Sequence, residues 1–190
     1  MVGTGSLDLS AHGYYTGDSD YLDDRGPMKI TLSEPEIRIA AWLAKMRASS
    51  NRTAGVGDGK IGDQTGEMTD LEGMLGEMAF CKLFNAYPDL SIKPQSHTYD
   101  CMINGWRIDV KTTRYDSGML LAAKGKSAKD CDFYALMIGE GGSYEFLGYA
   151  SSWILIRPEN LIDLGHGLTY GLDQCQLGNP EDTPWGVLSV

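Results

Sequence analysis

Apolar residues recur at helical spacing in two segments of the first half of the chain. The segment that follows a capping motif at residues 33–36 predicts a helix over residues 34–48. The segment that follows a second capping motif at residues 69–72 predicts a helix that ends near Phe84. Residues 1–29 are rich in Gly, Asp, Ser and Tyr without a clear period, and they predict an irregular leader.

The second predicted helix carries features that a plain amphipathic helix lacks. Glu77 lies on or beside its apolar stripe, where a carboxylate needs a partner. Arg38 and Arg47 are candidates for that partner. Gly73 and Gly76 each weaken the helix by ~1 kcal/mol relative to alanine. Such glycines are expected where another part of the chain approaches the helix backbone closely.

Apolar and polar residues alternate in much of the second half of the chain, with the period of two that is typical of strands. Residues 97–113 predict a hairpin around the two-residue turn Asn104-Gly105. Residues 132–138 and 144–150 predict two further strands around a glycine-rich turn. Residues 151–164 predict a short helix or another strand.

The turn fixes the register of the hairpin and sets Asp100 directly opposite Asp109. Both carboxylates then share one face with Lys111, and like charges in opposition cost about 0.2 to 1 kcal/mol. A divalent cation held between them reverses this repulsion, because hard cations take carboxylate oxygens as ligands. The hairpin therefore predicts a metal site. Its opposite, apolar face is predicted to hold Cys101, Ile103, Ile108 and Val110.

The net charge of −10 argues at first against a nucleic-acid partner, because phosphate binding draws on Lys and Arg. The charge is unevenly distributed, however. Residues 91–129 hold seven bases and three acids, and we call this segment the basic island. Side chains that contact the backbone of a nucleic acid hold the substrate in place but do not recognise its sequence. The candidates for such contacts are Arg114, Lys124, Lys126 and Lys129, with an ordinary solvated lysine loop as the alternative.

Cysteine, histidine and hydropathy patterns restrict the function classes. Four cysteines without CxxC spacing and three histidines offer little to a zinc cluster, so reduced structural thiols are expected. No basic segment leads into an apolar stretch at the amino terminus, and no apolar run approaches a membrane span, so we expect a cytoplasmic protein. Residues 57–62 fit the letters GxGxxG but follow a helix and a polar loop, so we interpret them as a flexible loop.

The chain has Glu77 on a predicted helix, Asp100 on one predicted strand and the segment 109–111 on the next. This order resembles that of the PD-(D/E)XK nuclease superfamily, and the resemblance covers residues 69–150. The resemblance implies a restriction-endonuclease-like core. Such a core is an α/β fold with a central mixed β-sheet flanked by helices, including a crossover helix. At the position before the first aspartate, often proline in the family, this chain has Tyr99.

The resemblance also implies roles for individual residues. Asp100 and Asp109 bind Mg²⁺, for which Mn²⁺ substitutes, and Val110 offers its backbone carbonyl to the same ion. Lys111 positions or activates the attacking water. Glu77 holds a metal-bound water or a second metal. A metal between carboxylates supplies most of what phosphodiester hydrolysis requires.

We therefore predict a Mg²⁺-dependent nuclease that cuts DNA, an endonuclease with structure-directed or weak sequence selectivity, of the junction-resolving, phage or repair type. An exonuclease of the same fold is one alternative, and a noncatalytic nucleic-acid or protein-binding module is the other. RNA stays open as a substrate, no membrane partner is expected, and the resemblance allows a homodimer. The predicted nuclease domain spans residues 30–175, between the leader over 1–29 and an irregular tail over 176–190.

Overall fold

The computed structural model of the chain describes residues 28–55, 66–92, 98–165 and 167–186. The glycine-rich loop at residues 57–62 and nearly all of the predicted leader lie outside the described residues. Within these ranges no helix combines the length and the hydropathy that a bilayer crossing requires.

Two long helices form over the segments whose apolar periods predict them, and the first begins at its capping motif. Helix α1 spans Glu34–Thr53 and is five residues longer than predicted; helix α2 spans Gly66–Leu83, so the prediction that residues 69–72 cap it is wrong. At the start of α1 the Glu36 carboxylate accepts hydrogen bonds from the backbone N–H of Ser33, at 2.5 Å, and from its hydroxyl, at 2.7 Å. These bonds satisfy groups that a helix start leaves without partners.

The strands form a five-stranded mixed sheet and a separate three-stranded sheet. In the larger sheet the order is β1-β6-β5-β3-β2, and only β3 and β5 run parallel. The smaller sheet has the order β4-β8-β7 and is antiparallel. The strands are β1 Met28–Thr31, β2 Cys101–Ile103, β3 Trp106–Thr113, β4 Leu120–Ala123, β5 Phe133–Glu140, β6 Ser143–Ser151, β7 Leu161–Asp163 and β8 Leu168–Leu172.

The mixed sheet and its helices confirm the α/β class, but the two faces of the sheet are covered differently. Helices α1 and α2 pack on one face and bury the first core, which includes Phe80, Val110 and Met137. The other face is covered by the smaller sheet and by a short helix α3, Ser152–Leu155, around a second core that includes Tyr134 and Leu136. Of the predicted flanking helices, the two long ones thus lie on the first face, whereas mainly strands cover the second.

The connection between the parallel strands β3 and β5 also differs from expectation. Residues 114–132, all of them described, contain β4 and several turns instead of the crossover helix that the resemblance implies. Gly, Ser and Asp interrupt this segment and leave it without an apolar helical period. The chain therefore crosses through the smaller sheet, and residues 151–164 supply α3 and β7, which fulfils both predicted alternatives.

Residues 176–186 follow an irregular path, yet they complete the first core. The Trp185 side chain is 1% exposed and lies among aromatic rings, with centroid distances of 5.1 Å to Tyr149 and 5.4 Å to Phe133. Its carbonyl accepts a hydrogen bond of 2.7 Å from the Asn104 side chain. The tail thus packs as part of the same domain and contacts the hairpin turn directly.

Candidate active site

The hairpin register is the one that the two-residue turn predicts. Cys101 pairs with Ile108 and Ile103 pairs with Trp106. Asn104, in the turn, has a φ of 49°, and Gly105 has a φ of 87°, as a tight hairpin turn requires. The apolar face is also confirmed, because Cys101, Ile108 and Val110 lie in the first core and Ile103 packs against it.

Asp100 departs from the predicted position, because the β2–β3 ladder ends at Cys101. Its backbone N–H donates to the carbonyl of Ile108 at 2.8 Å, and its side-chain Oδ2 accepts the N–H of Val110 at 2.7 Å. Strand β2 is too short to pair with Val110, and an N–H on an open strand edge needs an acceptor. Asp100 supplies it, so its carboxyl group lies along the edge of β3 and does not oppose Asp109 in the ladder.

Asp109 and Lys111 share one face of β3, as the strand period predicts. Their partners in the parallel register are Tyr134 and Leu136, so they point toward the second core. The Lys111 ammonium contacts Asp109 Oδ1 and lies 5.9 Å from the centroid of the Tyr134 ring. Because the smaller sheet covers this face, Asp109 is only 3% exposed.

A second lysine reaches Asp109 from the crossover segment. Lys126 lies in the connection after β4, where its backbone N–H donates to the carbonyl of Ala123, and its Nζ is 2.8 Å from Asp109 Oδ2. Lys126 is one of the residues predicted to contact a nucleic-acid backbone, and its ion pair with Asp109 was not predicted. The only signal in the sequence is its membership of the basic island, which does not say where the segment turns back to the sheet.

Glu77 is held on the first face by α2. Its Oε2 is 2.9 Å from Arg47 Nη1, and Arg47 also donates to the Asp89 carbonyl at 2.6 Å and to the Ser91 carbonyl at 3.3 Å. Of the two arginines considered as partners, Arg47 is therefore correct. Arg38 instead forms an ion pair with Glu34, one turn away on α1.

Gly76 permits the close approach of α2 to β3 that brings Glu77 to the site. A Cβ atom at this position would lie 2.0 Å from Thr112 Oγ1 and 2.9 Å from Thr112 Cβ. Any side chain would therefore push the helix away from the strand. The prediction that the helix backbone is closely approached is confirmed at Gly76, whereas a Cβ atom at Gly73 would meet nothing within 4 Å.

Glu77, Asp100 and Asp109, which we call the carboxylate cluster, influence one another electrostatically. Burial raises the pKa of Asp100 well above its usual range, and the charges of Glu77 and Asp109 raise it further. Burial also raises the pKa of Glu77, against the opposing effect of Arg47. Burial disfavours the Lys111 ammonium, but the charges of Asp109, Asp100 and Glu77 together raise its pKa. Asp100 is therefore the site carboxyl group that binds a proton readily.

This raised pKa predicts that Asp100→Asn stabilises the metal-free protein at alkaline pH. An acid whose pKa is raised by folding contributes stability that is fully present below its unfolded pKa of about 4 and is lost as pH rises through the folded pKa. Asp100→Asn has no carboxyl group to ionise at this position, so it does not lose this stability as pH rises. Its amide oxygen can still accept the hydrogen bond from the Val110 N–H. Its melting temperature should match wild type near pH 4 and exceed it increasingly toward pH 8, measured by calorimetry in EDTA. Exposed Asp116→Asn is the control, and an equal shift at both pH values would contradict the expectation.

The chemistry of the donors fits a hard cation. Asp100 and Asp109 offer only oxygen ligands, and the buried Oδ1 of Asp109 contacts Lys111 without a regular hydrogen bond. The N–H and C=O of a strand residue point to the same side, so the Val110 carbonyl faces the edge where its N–H meets Asp100. Within the described part of the chain, however, no three His, Cys, Asp or Glu side chains already converge on one point.

The remaining candidates of the basic island occupy different environments. Arg114, Lys124 and Lys129 are exposed. The Arg114 guanidinium lies 5.3 Å from the centroid of the Tyr115 ring, a distance at which a cation is attracted to the ring face. Their contacts with nucleic acid stay a prediction. His97, at the start of the predicted hairpin segment, lies outside the described residues.

Comparison with known proteins gives one match. A family model described as a family of unknown function, DUF5843, matches residues 26–141. No curated protein and no solved structure matches the chain. The matched segment contains α1, α2, the hairpin and β5, and therefore all three members of the carboxylate cluster together with Lys111 and Lys126.

Proposed function

The chain belongs to the DUF5843 family of unknown function, and we propose that it is a Mg²⁺-dependent nuclease that hydrolyses phosphodiester bonds in DNA. The observation that carries this proposal is the environment of Asp109. This carboxylate is 3% exposed, contacts the ammonium groups of Lys111 and Lys126, and shares its electrostatic environment with Asp100 and Glu77. Buried clusters of acids and bases with perturbed pKa values occur preferentially at functional sites.

Each residue of the site would have its own task in this chemistry. Asp100, Asp109 and the Val110 carbonyl would hold Mg²⁺, which when bound neutralises phosphate charge and activates water. Lys111, kept cationic by the surrounding carboxylates, places an ammonium where it can stabilise the charge that develops on a phosphate. Glu77, fixed by Arg47, would orient a water or hold a second ion. The exposed bases Arg114, Lys124 and Lys129 would position the DNA backbone.

Within this proposal the core is restriction-endonuclease-like, and the enzyme is an endonuclease with structure-directed or weak sequence selectivity. The α2–β2–β3 order, the antiparallel hairpin and the parallel β3–β5 pair support that comparison. The comparison is weakened by strand β4, which stands where the resemblance implies a crossover helix. The Asp100 carboxyl group lies along the open edge of β3, and this position favours a site that a phosphate backbone can reach. An exonuclease of the same fold is the nearest variant.

A noncatalytic binding module is the second candidate, and one observation favours it. Glu77 is paired with Arg47, and Asp109 with Lys111 and Lys126, so three bases already contact two of the three carboxylates of the cluster. Structural ion-pair networks contain such contacts and also perturb pKa values. Such a module would bind nucleic acid or protein through the basic island without cutting.

Incubation of supercoiled circular DNA and of linear DNA with the protein, in Mg²⁺, in Mn²⁺ or in EDTA, separates these candidates. We expect nicked circles in either metal and intact circles in EDTA. Shortening of linear DNA with intact circles would identify an exonuclease. Binding in a mobility-shift assay without cleavage in either metal would contradict the proposed hydrolysis and favour the binding module. Asp109→Asn, prepared in parallel, controls for contaminating nucleases.

A further inference from the structure

Lys126 is the second cation on a single carboxylate. Its Nζ is 2.8 Å from Asp109 Oδ2, while the Lys111 ammonium contacts Oδ1, so each oxygen of Asp109 has its own ammonium. One carboxylate balances only one of these charges. The other acids have their own partners, since Glu77 is paired with Arg47 and Asp100 accepts the Val110 N–H.

The two lysines differ in how firmly the fold holds them. Lys111 is in the middle of β3, paired in register with Leu136 of β5, and its position follows from the central sheet. Lys126 comes from a turn outside both sheets, between the exposed residues Gly125 and Ser127. The sheet therefore fixes the backbone of Lys111, whereas the backbone of Lys126 can shift together with its side chain without breaking a strand pair.

A divalent cation at Asp109 would meet both ammonium groups at close range. Like charges at such separations repel strongly in a partly buried site. An ion bound to Oδ2 would lie beside the Lys126 ammonium, which is 2.8 Å from that oxygen, so the repulsion is relieved when Lys126 moves away. Lys126 is therefore the lysine whose displacement favours an ion at Oδ2.

We propose that Lys126 occupies the cation position at Asp109 Oδ2 in the metal-free protein and competes with the divalent ion for it, so that Lys126 sets the metal affinity of the site. The inference rests on the proposed metal-dependent function. Once displaced, the Lys126 ammonium joins the exposed Lys124 and Lys129 as a cation for the phosphate backbone of the substrate. Substrate and metal then favour the same position of this side chain.

Calorimetric titration of the full chain with Mn²⁺, without DNA and at low ionic strength, tests the competition. Lys126→Met removes the ammonium but keeps the length of the side chain, and we expect Mn²⁺ to bind about tenfold more tightly or better. Lys126→Arg keeps the charge and should bind Mn²⁺ as wild type does. Lys124→Met, two residues away and exposed, removes the same charge outside the ion pair and should change the affinity less than twofold.

The outcomes separate this inference from the proposed function. Unchanged or weaker Mn²⁺ binding by a folded Lys126→Met, with the fold checked by its melting temperature, would overturn the role of Lys126 whether or not the wild type cuts DNA. Tighter binding by Lys126→Met without any cleavage of DNA would support the competition and contradict the nuclease. If both hold, the Mg²⁺ concentration for half-maximal cleavage by Lys126→Met should fall in the same ratio as its metal dissociation constant.

Discussion

Lys111→Met is expected to lower the rate of DNA cleavage by about 10²-fold to 10³-fold, which is the usual cost of removing one group that stabilises developing charge. The substitution keeps the aliphatic part of the side chain, and Asp109 retains an ion pair with Lys126 at 2.8 Å. The protein should therefore fold and still bind DNA through its exposed bases. Single-turnover cleavage with saturating protein would measure the chemical step alone.

The control for this variant is Lys29→Met. Lys29 lies in β1, and its partner is Glu145 at 3.7 Å, on the far edge of the mixed sheet from the hairpin. The Lys29→Met variant loses the same charge at a position that does not contact the site. Its rate of DNA cleavage should therefore stay within twofold of the wild-type rate. Cleavage by Lys111→Met at the wild-type rate would remove this lysine from the mechanism. An equal loss in both lysine variants would point to bulk charge instead.

Trp185→Ala should reduce the free energy of unfolding by about 3–5 kcal/mol, the range for removing a large aromatic side chain from a core. Trp185 packs against rings that come from α2, β5 and β6, so the truncation leaves a cavity between several elements. Urea unfolding followed by circular dichroism measures the loss. Trp153, 67% exposed on α3, offers a matched control, because Trp153→Ala should change the free energy by less than about 0.5 kcal/mol. Equal effects of the two substitutions would show that the tail does not complete the core.

Features set by local geometry could be predicted from the sequence. The turn Asn104-Gly105 requires positive φ at both positions and fixes the pairing of the residues beside it, so the register was correct as far as Cys101. The strand period placed Asp109 and Lys111 on one face. The capping motif at residues 33–36 located the start of α1, because it marks where backbone groups need partners, whereas the motif at residues 69–72 lies inside α2.

Features set by packing could not be predicted in the same way. The position of Asp100 depends on β2 being only three residues long, which leaves the Val110 N–H to a side chain. The ion pair of Lys126 depends on where the crossover segment turns back, and nothing in its composition states that. The choice of Arg47 over Arg38 depends on how α1 lies against α2. The smaller sheet was missed because strands of three to five residues carry too little alternation.

The burial of Asp109 beneath the smaller sheet separates two responses to ionic strength. Dissolved ions screen exposed charges far more than buried pairs, so the contacts of Asp109 with its two lysines should persist in concentrated salt. The attraction of exposed bases for a polyanion weakens steeply under the same conditions. Raising the salt concentration would therefore release a nucleic acid from the surface while the charged interior beside β3 stays assembled.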